Sequence, residues 1–179
     1  MHERDLKGAY NLLVNCGQAC EGERLLLCYE QKNLDFYDNA IVEDVWACAQ
    51  EIGLEVIPYE LDFDPVIDAV PKHLEAAIAA ADLTVFLARL ADQMRFGRFK
   101  SGQRTILSYA LNSASLASPF GTVHYKASLA LKQVIDAAVF GAGEVVVSCK
   151  AGTYFKGRIA ASPDGGDSDL RRFPMLVNT

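Results

Sequence analysis

The chain is poor in the residues that usually announce a chemistry. Its five cysteines, Cys16, Cys20, Cys28, Cys48 and Cys149, contain no C-x-x-C pair. Its three histidines, His2, His73 and His124, form no H-x-H or H-x-x-x-H pair. The compact zinc and disulfide-exchange motifs are therefore absent. No apolar run approaches the ~18 residues of a membrane span. The N-terminal MHERDLKG is charged and has no apolar stretch before a cleavage site, so it does not read as a signal peptide. Positive charge is also short. Seventeen basic against 23 acidic residues leave a formal charge of −6, whereas a duplex-binding domain presents a net basic face. Nucleic acid and membrane are thus not expected partners. The odd number of thiols reads as a reduced, cytoplasmic protein with mostly buried cysteines.

What is present has the composition of a folded domain: 51% hydrophobic and 22% charged over 179 residues, enough for one core. Apolar residues from Asp5 to Cys20 recur near a 3.6 period and predict a helix. LLLCY (25–29) is a short, fully apolar run, as a strand buried on both faces would be. A second helix is predicted over Ile41–Ile52, closed by Gly53. LEVIPYEL (54–61) reads as a strand, and Pro58 places it at an edge. An Ala-rich helix (Pro71–Ala81), strands Leu83–Leu90 and Thr105–Leu111, and a strong helix Tyr125–Phe140 follow, with the polar NSASLASPFGT read as a loop. EVVVSC (144–149) is the next strand. TYFKGRIAAS alternates and PDGG is a turn, so the tail looks antiparallel and hairpin-like. The sum is a single α/β domain over 1–179. It is mainly a parallel three-layer sheet with helices on both faces and an antiparallel C-terminal hairpin region.

The segment MRFGRFKSGQRT (94–105) carries the glycine spacing of a phosphate-binding loop, Gly97 and Gly102. It has Gln103 and Arg104 where that loop needs Lys and then Ser or Thr, and a strand follows instead of a helix. A nucleotide cradle is not expected. Cys16 and Cys20 share a helix face without further ligands, and Asp164, Asp167 and Asp169 around Gly165–Gly166 lack the calcium-loop pattern. Ser113, Ser115 and Ser118 stand in no G-x-S-x-G elbow. Cys149 beside Lys150 is a thiol with no placed base. No catalytic residue, metal or cofactor is predicted. The 94–105 loop instead interleaves Arg95, Arg98, Lys100 and Arg104 with Phe96 and Phe99. Such a set suits an extended acidic peptide or protein partner better than single-stranded nucleic acid, given the acidic chain.

In order, CEGERLLLCYE, EDVWACAQEIGLEV, AAADLTVFLARL and EVVVSCKAGTYFKGRI resemble the N-terminal domain of the thermophilic-type metallo-aminopeptidases. Leucyl-aminopeptidase-like proteins and dihydroxypyridine-type dioxygenases belong to the same group. Ala151, Gly152, Thr153, Gly157 and Arg158 fit its A-G-T-x-x-x-G-R pattern. Phe173–Pro174 is then followed by Met175 and Leu176 where the group has Gly and Glu. That Glu and later Glu, His and Asp residues supply the group's metal site, so the resemblance implies a domain without its catalytic half. The chain is also similar to the small peptide-binding accessory proteins of ribosomal peptide natural-product pathways, such as crocagin biosynthesis.

The expected function is therefore a non-catalytic accessory protein that binds a precursor (leader) peptide. The expected grip is Arg95, Phe96, Arg98, Phe99, Lys100 and Arg104, with a backbone edge near Tyr154–Ile159 and the side chains of Tyr154, Phe155 and Arg158. The alternative is a metal-dependent hydrolase or oxygenase whose ligands come from a further half or a partner chain. Apolar strands and the alternating tail also offer an isologous homodimer interface.

Overall fold

The structure, a computed structural model, describes residues 6–67, 69–93 and 104–158, and the backbone of 175–178. Four parallel strands, β1 (Arg24–Glu30), β2 (Glu55–Leu61), β3 (Leu83–Leu87) and β4 (Arg104–Ser108), lie in the order β2-β1-β3-β4. A short β7 (Met175–Asn178) adds antiparallel to β4. The mixed α/β class expected from the pattern is the one observed.

The apolar run in β1 is continuous because helices cover both faces of the sheet. Leu25 and Leu27 enter one buried cluster with Leu83, Val85 and Leu87, under the N-terminal helix and α2 (Asn39–Ile52). Leu26 and Cys28 point the other way and join Phe86, Leu74 and Ile78 under α3 (Lys72–Ala80) and α4 (Arg89–Gln93). One residue of register decides which layer a side chain belongs to. β2 lies at the sheet edge, with Pro58 paired in register to Leu27, as its missing N–H requires.

The helices follow their local chemistry. In α2, Ile41, Val45, Cys48 and Ala49 share the buried face at helical spacing. Asp38 caps its start by accepting from the Ala40 N–H at 3.0 Å. Gly53, at φ 85°, ends it in the left-handed conformation that glycine tolerates. The first helix begins as α1 (Lys7–Tyr10) and continues as a wider π-helical segment, Asn11–Cys16.

Two sequence expectations need correction. NSASLASPFGT is not a loop but two short helices, α5 (Ser113–Ala117) and α6 (Pro119–Thr122). The residues that suggested a loop are their caps. Asn112 accepts from the Ser115 N–H at 2.8 Å, Ser118 from the Phe120 N–H at 3.2 Å, and Pro119 stands at the first helical position. Buried Asn11 ties this corner down by donating to the carbonyls of Gly121 (2.8 Å) and Val123 (3.0 Å). A Cβ on Gly8 or Gly121 would come within 1.9 or 2.0 Å of the Leu116 carbonyl oxygen, so neither position admits a side chain. Second, strand Leu83–Leu90 stops at Leu87, because Arg89 starts α4, and strand Thr105–Leu111 stops at Ser108.

The antiparallel hairpin expected toward the C-terminus is present and separate from the sheet. Helix α7 (Tyr125–Phe140) forms where the period places it, with Tyr125 packed against a core cluster, and EVVVSC supplies β5 (Val145–Ser148), which lies outside the five-stranded sheet. β5 pairs antiparallel with β6 (Tyr154–Gly157) in a separate two-stranded ribbon, Val147 opposite Phe155 and Ser148 opposite Tyr154. Not one side chain of α7 is buried.

Candidate functional site

Open α/β sheets bind ligands where the strand order reverses, at the carboxyl ends of the strands. Here that point lies between β1 and β3, and the chain fills it with its own groups. Glu30, the last residue of β1, is 4% exposed and needs a partner for its charge. Arg89, just past β3, provides it. Its Nε donates to both Glu30 carboxylate oxygens at 3.0 Å and its Nη2 to Oε2 at 2.7 Å. The Arg89 backbone N–H adds a fourth bond at 2.6 Å. The guanidinium is held between two rings, 4.4 Å from the centre of Phe36 and 3.7 Å from that of Phe63. Both charges are spent on each other, so this crevice is a closed brace.

Around it stands a polar rim. Tyr37 donates to the Ser108 carbonyl at 3.2 Å, and Tyr109 donates to Asp92 at 3.1 Å. Burial pushes the Tyr37 hydroxyl well above its ordinary range, with the Glu30 and Asp92 charges adding to the shift. Beside the rim, a cleft of about 430 Å³ runs along the end of β2, lined by Tyr59, Asp62, Asp64, Ile67, His73 and Gln93 among others. Tyr59 stacks on His73 with ring centres 6.3 Å apart.

Arg104 is placed as an internal brace. Its Nη1 donates to the carbonyls of Gly17 (2.9 Å) and Gln18 (2.6 Å), its Nη2 to Glu23 (2.6 Å) and its Nε to the Asp82 carbonyl (3.3 Å). A guanidinium with its donors engaged inside the fold is not available to grip a partner, which corrects the expectation for this residue. Arg95, Phe96, Arg98, Phe99 and Lys100 lie outside the described residues, as do Ile159 and the acidic turn at 164–169.

The other predicted residues stand together on the ribbon. Tyr154 and Phe155 are 69% and 59% exposed on β6, and Arg158 is exposed immediately after it. The A-G-T segment before β6 forms the turn. Gly152, at φ 94°, has the left-handed conformation, and the Cys149 N–H donates to the Thr153 carbonyl at 3.0 Å. Exposed Cys149 lies in this turn, where the Thr153 hydroxyl and the backbone N–H groups around it hold its thiol below the ordinary range. Among the described residues no group of three or more His, Cys, Asp or Glu side chains is placed to hold a metal ion. No described helix is long and apolar enough to cross a membrane.

The sheet edges sort the surfaces further. β2 presents an edge broken by Pro58, and β4 is already paired by β7. β5 and β6 pair only with each other among the described residues.

No family model matches the chain, and no curated protein matches it. Among solved structures, it is similar to 2,5-dihydroxypyridine dioxygenase from Pseudomonas putida KT2440, with a TM-score of 0.53 and 17% identity over 87% of this chain. A fatty acid ABC transporter substrate-binding protein from Thermomonospora curvata aligns over 66% of this chain and 31% of its own, with a TM-score of 0.38 and 22% identity. The likeness to the dioxygenase is one of fold. The chain spans about half of that protein, 47% of its length.

Proposed function

We propose that this chain is a non-catalytic accessory protein that takes up an extended precursor (leader) peptide of a ribosomal natural-product pathway in the cytoplasm. The observation that carries this reading is the β5–β6 ribbon, whose outer edges pair with no further strand among the described residues, and which carries the large exposed side chains Tyr154 and Phe155. An added strand gains backbone hydrogen bonds from such an edge, and alternate side chains give specificity. Arg158 stands at the end of the edge to meet an acidic residue, and Arg95, Arg98 and Lys100 would add charge. The closed Glu30–Arg89 brace supports a partner-binding rather than a crevice-binding protein.

Calorimetric titration with the precursor peptide encoded beside the gene tests it. The expected result is micromolar or tighter binding with no change in the peptide's mass. Tyr154→Ala with Phe155→Ala, or Arg95→Ala with Arg98→Ala, should each weaken binding by at least ~10-fold with the fold intact. Unchanged affinity in both double variants would remove the assignment.

The dioxygenase-like fold favours a second reading, a metal-dependent oxygenase or hydrolase whose ligands come from a further half or a partner chain. Stoichiometric iron, zinc or manganese after gentle purification, or a mass change in the peptide, would support that reading instead.

A further inference from the structure

Helix α7 half-buries Tyr125, Leu129 and Val139 and leaves most of its other apolar side chains exposed. Its exposed face carries Ala127, Leu131, Val134 and Ala138, at 4-3-4 spacing, with Ala130 and Ile135 beside them. Leu131 and Val134 are 62% and 68% exposed. The half-covered face also holds the ion pair between Lys132 and Asp136, one turn apart. The 4-3-4 spacing is the seam of a helix pair. All three charges of α7, Lys126, Lys132 and Asp136, fall at outward positions of that repeat, and none flanks the seam.

We infer that this face is the two-fold interface of a homodimer, with α7 packed antiparallel against α7 of a second copy. The seam is palindromic in size: small, large, large, small. With the axis between Lys132 and Gln133, Leu131 meets Val134 of the second copy, Ala127 meets Ala138 and Ala130 meets Ile135. Every large side chain then faces a complementary one, as an isologous contact demands. An unrelated partner would need no such internal symmetry, and the uncharged flanks offer no pattern to select one.

The helix pair alone would cover less than a stable dimer requires. Phe140, at the end of α7, and Val147 on the ribbon are also exposed. An interface of standard size, roughly 800 Å² per partner, would draw on such further apolar groups. The inference holds whether or not the ribbon edges take up a peptide.

Sedimentation of the full chain tests it, the expected species being twice the 19.5 kDa chain mass at micromolar concentration. Val134→Glu should weaken the dimer by at least ~100-fold, since a carboxylate would be buried opposite Leu131. The side chain is exposed in the single chain, so the melting of the monomer should not change. In a background with Cys20→Ser and Cys149→Ser, mixing Leu131→Cys with Val134→Cys protein should yield a disulfide-linked heterodimer. Neither variant should cross-link efficiently by itself. A monomeric wild type, a dimer that survives Val134→Glu, or Leu131→Cys protein that cross-links to itself would each overturn the inference.

Discussion

The layered sheet and the C-terminal arm are built from similar residues and meet water in opposite ways. Phe86 on β3 and Phe155 on β6 are both strand phenylalanines, one 1% exposed and the other 59%. Leu74 and Leu131 are both helix leucines, one buried and the other bare. The sheet closes over its apolar residues because helices stand on both faces. α7 and the ribbon are also rich in apolar residues and have no covering layer among the described residues. An isolated hairpin is marginal in water, so the arm is the part that a bound partner would stabilise most.

Breaking the brace should have the largest effect. Arg89→Ala leaves Glu30 charged, buried and unpaired, and should cost about 3–5 kcal/mol in denaturant unfolding. Replacing both partners with apolar side chains should recover much of that loss, because the desolvated charge goes with them. The phenylalanine comparison can be sharpened directly. Phe86→Ala should cost ~3–5 kcal/mol, while Phe155→Ala should stay within ~0.5 kcal/mol in the monomer. A large cost at Phe155 would show that the arm already buries this ring in solution.

Buried thiols make a smaller, pH-dependent difference between the regions. Burial, helped by the Glu51 charge, pushes the Cys48 thiol from 9.0 up to about 11. The folded state therefore holds this proton more tightly than the unfolded chain does. The associated stability is fully present below pH 9 and is lost as pH rises toward 11, by on the order of 2 kcal/mol. Cys48→Ala should flatten the alkaline limb of a stability–pH curve over that window. The smallest effect belongs to the arm. Cys149, with its thiol pKa lowered, should alkylate at a lower pH than an ordinary thiol, and Thr153→Val should move the labelling profile back up. Buried Cys16, Cys28 and Cys48 should label only on unfolding.

Much of the fold was legible because local signals agreed with it. The LLLCY run, Pro58 at an edge, Gly53 after Ile52 and the period of 125–140 each state a physical requirement that the structure meets. Capping residues misled. Asn112, Ser118 and Pro119 favour loops and helix starts alike, and only the packing of Leu116 against Gly8 and Gly121 selects helices. Of the candidate site, Tyr154, Phe155 and Arg158 were placed at one exposed edge, whereas Arg104 turned inward. The Glu30–Arg89 brace was missed because its halves are 59 positions apart and Arg89 read as the end of a strand. A signal was present all the same: a charge at the end of each of two buried strands that the topology sets side by side.

The sequence by itself determined the main strands and longer helices and the basic-aromatic character of 94–105, since period, turn chemistry and composition act over a few residues. Only the tertiary structure decided that one arginine braces the core and another is left at the surface. It alone decided which apolar helix is covered. Both outcomes depend on which distant groups arrive to satisfy a charge or exclude water, and that is a property of the assembled layers.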